Sequence, residues 1–136
     1  MTVQLSSPAG LLQPVPYHHV AVATGTRQVH VAGQIARDAD GTPLAPGDLA
    51  GQVGHALRHV RTALAGAGAG FRDVVHLRFY VTGWRPEMMD TFMAGVEAVA
   101  DEVDLPLPMP PASLIGVVVL FEPDVLVEVE ATAVLD

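Results

Sequence analysis

From Val125 to Ala133 the chain alternates so regularly that a strand is the element that fits it. Val127, Val129, Ala131 and Ala133 fall on one side, and Leu126, Glu128, Glu130 and Thr132 on the other. Upstream, Val117-Val118-Val119-Leu120 has no polar side and reads as a strand buried on both faces. A Phe121-Glu122-Pro123-Asp124 turn joins the two. Two carboxylates on one face of a strand, beside a wholly buried neighbour, either meet water or line a site.

The segments before this pair supply what it packs against. Residues 1–16, with Pro8, Pro14 and Pro16, read as an extended arm, poorly fixed at its start. Tyr17 to Thr24 and Gln28 to Gly33 read as two strands of a hairpin, turning near Gly25-Thr26. Turn residues crowd the stretch from Arg37 to Gly47 and make it a loop. Asp48 then caps a helix whose apolar stripe is Leu49, Val53, Ala56, Leu57, Val60, Ala63, Leu64 and Ala67. Gly66, Gly68 and Gly70 end it. Asp73 to Thr82 alternates as a strand, with His76, Arg78, Tyr80 and Thr82 on one side. A second helix runs from about Pro86 to Glu102 with the apolar stripe Met89, Phe92, Met93, Val96, Val99 and Ala100, and four prolines between Leu105 and Pro111 enforce an extended loop. The order is β-β-α-β-α-β-β, an α+β fold with two helices on one face of the sheet.

A chain of 136 residues suits one domain, 1–136. Half of it is apolar, which is high for a small monomer and points to burial between subunits. No apolar run is long enough for a membrane helix, and the N-terminus lacks the pattern of a signal peptide, so a cytoplasmic protein is expected. The net charge is −8, and the seven basic residues are scattered arginines with no lysine. That balance repels a phosphate backbone, so no nucleic-acid partner is expected. The absence of lysine and cysteine excludes a lysine Schiff base, a disulfide and a cysteine nucleophile.

Several short pieces occur in a telling order. They are Pro16-Tyr17, Val31-Ala32-Gly33-Gln34, Gln52 with Leu57, Gly68, Asp73-Val74-Val75, Pro111-Ala112 and Glu128-Val129-Glu130-Ala131. None is specific alone. As an ordered set covering nearly the whole chain from Tyr17 on, they resemble the Rid (reactive intermediate deaminase) family, also called YjgF-like or endoribonuclease L-PSP-like. The resemblance implies a chorismate-mutase-like subunit with a mixed sheet, and a homotrimer with a central barrel and small-molecule clefts between subunits. It also implies cofactor- and metal-free hydrolysis of imines and enamines such as 2-aminoacrylate. The family's deaminase motif is Pro-Ala-Arg-Ser, whose arginine clamps a substrate carboxylate through two charge-assisted bonds. Here the motif reads Pro111-Ala112-Ser113-Leu114, with Ser113 at the arginine position, as in the arginine-lacking subgroups. The family serine before Gly33 is Ala32, and the second-helix asparagine of some deaminases falls near Thr91 or Phe92.

By this resemblance the catalytic candidate is Glu128, a carboxylate able to activate or order a water. The substrate-binding candidates are Tyr17, Gly33, Ser113 and Ile115. Each has a plainer reading. Glu128 could be a barrel-lining carboxylate held by an arginine, Tyr17 could be ordinary packing, and Ser113 has no nearby base that would make it a nucleophile. Glu130 reads as structural, with Arg78 as its candidate partner. His55 and His59 have metal-ligand spacing but flank the apolar stripe as surface residues, and at most one of His18 and His19 borders a cleft beside Tyr17. No metal and no cofactor is expected. Two functions follow: an imine or enamine hydrolase acting without the usual carboxylate clamp, or a trimer that binds a metabolite or a partner enzyme without turnover. Ribonuclease activity fits the acidic charge least well.

Overall fold

A computed structural model describes residues 3–136. The strands are β1 (Val3–Ser6), β2 (Val20–Ala23), β3 (Arg27–Gln34), β4 (Val74–Thr82), β5 (Ala112–Val117) and β6 (Val127–Leu135). The helices are α1 (Leu49–Gly66) and α2 (Met89–Val103), each α-helix or strand joined by loops or a short 3-10 turn. One ladder pairs β1 with β2, and a four-stranded sheet runs β3-β6-β4-β5. Its β4–β5 pair is parallel and its other pairs antiparallel, so the sheet is mixed.

Sequence patterning explains the layers. In β6, Val127, Val129, Ala131, Ala133 and Leu135 are buried, while the residues between them are partly open. In β4, Leu77, Phe79 and Val81 are buried in the same way. Both helices cover this apolar face. Leu57, Val60 and Leu64 of α1 and Val96 and Val99 of α2 enter one core with Phe79 and Val129. Phe92 of α2 meets Phe79 edge to face, with ring centroids 5.0 Å apart. The helices cross at small residues: a Cβ on Gly95 would fall 2.5 Å from the Ala50 carbonyl oxygen. Asp48 caps α1, its Oδ1 accepting from the Gly51 amide at 3.0 Å.

Four expectations change. Part of the arm is built into the fold: Val3–Ser6 pairs antiparallel with β2, and Val3 is buried. The start of the arm at Met1 and Thr2 lies outside the described residues. The strand over Tyr17–Thr24 shortens to β2, and the expected hairpin resolves into two different pairings, β2 with β1 and β3 with β6. The order therefore gains a strand. Val117-Val118-Val119-Leu120 is not a strand buried on both faces. β5 ends at Val117, and Val118 is 96% exposed. A run of apolar residues without alternation cannot distinguish burial within a subunit from a projecting loop. Finally, Met89, placed in the apolar stripe of the second helix, is exposed at the start of α2.

Among the described residues no helix is long and apolar enough to cross a membrane.

Candidate functional site

The sheet face without helices carries most of the chemistry. Residues opposite one another in a ladder share a face, so the register defines rows. One row is Ser113, Arg78 and Glu130; the next is Ile115, Tyr80 and Glu128; His76 and Thr132 lie in the row on the other side. Two carboxylates, an arginine, a phenol, an imidazole and two hydroxyls thus stand on adjacent strands.

Glu128 is held by its position, its side chain making no hydrogen bond among the described residues. Between Val31 and Gln34 the β3–β6 register shifts, and Gly33 falls in that irregularity. A Cβ built on Gly33 would lie 2.2 Å from Glu128 Oε1 and 2.5 Å from its Cγ. The carboxylate therefore lies against the bare Cα of Gly33. Partial burial raises the Glu128 pKa above the ordinary carboxylate value, and neighbouring Glu130 adds to the shift. Such a group holds its proton more tightly than a surface glutamate and is a stronger base once ionised.

Glu130 accepts a short hydrogen bond from the Tyr80 hydroxyl. The carboxylate raises the Tyr80 pKa, since ionising the phenol would remove the bond and set two anions together. Arg78 was expected to pair with Glu130. Although the two residues are opposite in the ladder, Tyr80 takes the carboxylate, and Arg78 makes no ion pair or side-chain hydrogen bond among the described residues. His76 Nε2 lies 3.3 Å from Ser113 Oγ. Burial, reinforced by the Arg78 charge, lowers the His76 pKa and favours the neutral ring.

The candidates thus divide. Gly33 and Glu128 touch, Ile115 lies two residues along from Ser113 on the same face, and Ser113 adjoins His76 and Arg78. Tyr17 lies apart. It bridges to Met109, the His18 amide donates to Met109 oxygen at 2.7 Å, and the Tyr17 ring meets His19 edge to face. Tyr17 anchors the loop that leads into β5, and within the subunit it has no hydrogen bond to Glu128 or Ser113 among the described residues.

His76, Arg78 and Tyr80 were visible as the polar side of an alternating strand, but nothing in the sequence assigned that side to the same face as Ser113. Gln52, one of the matching pieces, has a role that its place in that set does not reveal. It is only 2% exposed, and its amide donates to Ala45 and Asp124 carbonyls and accepts from the Leu126 amide at 2.9 Å. The polar interruption in the α1 stripe was its signal. Arg37 ties the same turn down through Glu122 at 3.1 Å and Asp124 at 2.8 Å. Together they set where β6 begins and hence where Glu128 points.

A cleft of about 1000 Å³ between β1 and the end of α2 includes Leu5, Arg72, Asp101 and Leu107, and none of the candidates. A smaller one of about 320 Å³ adjoins Gly33 and includes Arg37 and His59. His59 Nε2 is buried with no hydrogen-bond partner among the described residues, so His59 is less open than a surface residue. His55 and His59 gain no third metal ligand among the described residues.

A family model described as endoribonuclease L-PSP matches residues 11–135. Among solved structures, the chain is 32% identical to a Rid-family protein, YyfB, of unknown function from Yersinia pestis, with a TM-score of 0.86 over 99% of this chain and 100% of that one. It is 28% identical to a member of the YjgF/YER057c/UK114 family from Mycobacterium tuberculosis, with a TM-score of 0.61 over 98% and 100%. To the YjgF gene product of Escherichia coli it is 26% identical, with a TM-score of 0.67 over 96% and 92%.

Proposed function

The chain belongs to the endoribonuclease L-PSP family, the Rid/YjgF proteins, and on that premise we propose that it is a cofactor-independent hydrolase of imines or enamines. In this reading one domain spans 1–136, and a homotrimer forms its clefts at the open sheet faces. The observation that carries the reading is the Glu128 carboxylate, set against Gly33 on an open polar face with its pKa raised. Hydrolysis of a C=N bond needs a water that loses a proton as it attacks. A partly buried carboxylate without a hydrogen-bond partner among the described residues suits that role. Water adds to the carbon, the nitrogen takes a proton, and the carbinolamine collapses to a carbonyl compound and ammonia.

Binding draws on the same face. Ile115 supplies an exposed apolar wall, and Ser113 a hydroxyl where the resemblance implies an arginine. A hydroxyl makes one neutral bond where a guanidinium makes two charged ones, so the substrate is not gripped at that point by its carboxylate. Tyr17 contributes to a cleft through the assembled trimer, since within one subunit it lies by Met109. Exposed Val118, Val119 and Phe121 support assembly, because a projecting apolar loop gains most when a second subunit covers it.

Ammonia release from imines generated in place, with wild type and Glu128→Gln compared, tests the chemistry. Turnover that falls at least about tenfold in the variant is expected; undiminished turnover removes Glu128 as the base. Sedimentation equilibrium tests the assembly, and a stable folded monomer at micromolar concentration would contradict it. A non-catalytic metabolite-binding trimer is the second reading, favoured by Ser113. It prevails if ligands bind at the Glu128 face and no imine is turned over.

A further inference from the structure

We propose that Arg78 is the anion-holding residue of this face, in place of the side chain that Ser113 lacks. Arg78 and Ser113 are opposite one another in the parallel β4–β5 pair, so both side chains leave the sheet on the same side. Ser113 is small and exposed, which leaves the space beside the guanidinium open. Arg78 is partly buried, and no carboxylate among the described residues pairs with it. Its natural partner, Glu130, is bound to the Tyr80 hydroxyl instead. An arginine half withdrawn from water with its fork unused is poised for a carboxylate, which matches the fork with two parallel bonds.

The surrounding charges narrow the ligand. Glu130 lies in the row of Arg78 itself and Glu128 in the next, and His76, two residues away on β4, prefers its neutral form. A simple anion would be attracted by one group and repelled by two. A ligand with a carboxylate toward Arg78 and a polarised or protonated nitrogen toward Glu128 fits all three signs. Neighbouring strands are about 4.8 Å apart, so the anionic group sits about that far toward β4 from where a residue at position 113 would hold it. Specificity then shifts to ligands whose carboxylate reaches further across the sheet. This inference rests on the reading of the Glu128 face as the ligand site, but not on turnover.

The test is calorimetric titration of the intact protein with 4-aminobutanoate and with 4-aminobutanamide, which share a protonated nitrogen and differ in charge at the other end but hardly in shape. Wild type should prefer the carboxylate by about tenfold or more. Arg78→Met should erase the preference and Arg78→Lys keep part of it; if the Met variant does not fold, Arg78→Gln makes the same comparison. Glu128→Gln removes one of the two repelling carboxylates and should keep or strengthen the preference while turnover falls, so loss of turnover there is separate from loss of anion binding at Arg78. An equal affinity of wild type for both probes, absence of binding by either, or a preference that survives in both the Met and the Gln variants would overturn the proposal.

Discussion

The Glu128 carboxylate occupies the space that a side chain at position 33 would need, with its Oε1 2.2 Å from the site of a Cβ on Gly33. The glycine is required here by this approach rather than by its backbone angles. Gly33→Ala should therefore displace Glu128 and destabilise the fold by less than core overpacking, which costs about 1–3 kcal/mol, because a partly open glutamate can swing aside. In a Glu128→Ala background the same substitution should cost far less. Urea denaturation of the four proteins gives the coupling, and strict additivity would show that the two residues do not compete for space.

Much of this fold was legible, because alternation in β4 and β6 and the two helical stripes each have one physical solution. Asp48 as a cap and the helix-covered face were read from local chemistry. The errors were non-local. Val118 was misplaced because an apolar run records a tendency to be buried and not its partner. The β2–β3 hairpin was misread because turn residues signal a reversal without fixing which strand lies alongside. Among the candidates, Glu128 and Ser113 came from their positions in an ordered motif set. The steric tie to Gly33, the capture of Glu130 by Tyr80 and the freedom of Arg78 depend on register, which no local pattern specifies.

Gln52 joins the α1 layer to the start of β6 by three hydrogen bonds. Gln52→Leu should leave the Leu126 amide and two carbonyls without their partner and cost about 2–4 kcal/mol. The urea midpoint measures it. A loss below about 0.5 kcal/mol would mean that water replaces all three bonds at no cost.

Burial raises the folded-state pKa of Glu128. Below the ordinary carboxylate range both states are protonated, and there is no penalty. As pH rises, the unfolded chain ionises first and binds fewer protons than the folded chain, so stability falls until the folded group also ionises. Glu128→Gln does not titrate there. The variant should gain on wild type between about pH 4 and pH 7, by less than about 1 kcal/mol because the group is partly solvated. Denaturation midpoints of both proteins at the two pH values check the sign; a gap that narrows with rising pH contradicts it.

Ser113 and Arg78 together decide how the protein treats a small carboxylated imine. Wild type should turn over 2-aminoacrylate slowly, because Arg78 holds a carboxylate one strand away from the position that serves so short a molecule. Ser113→Arg supplies the nearer guanidinium. A charge-assisted bond made in the transition state is worth about ten- to a hundredfold in rate. The single substitution also sets two arginines opposite each other in the β4–β5 pair, and like charges so placed repel. The full gain should therefore appear in the double variant Ser113→Arg with Arg78→Thr, and a smaller one in Ser113→Arg alone. A coupled assay that generates 2-aminoacrylate in place, run on all four combinations, separates the effects. If the double variant gains no more than the single, Arg78 does not reach the space above Ser113. If neither exceeds wild type, the hydroxyl at position 113 is not what limits this substrate.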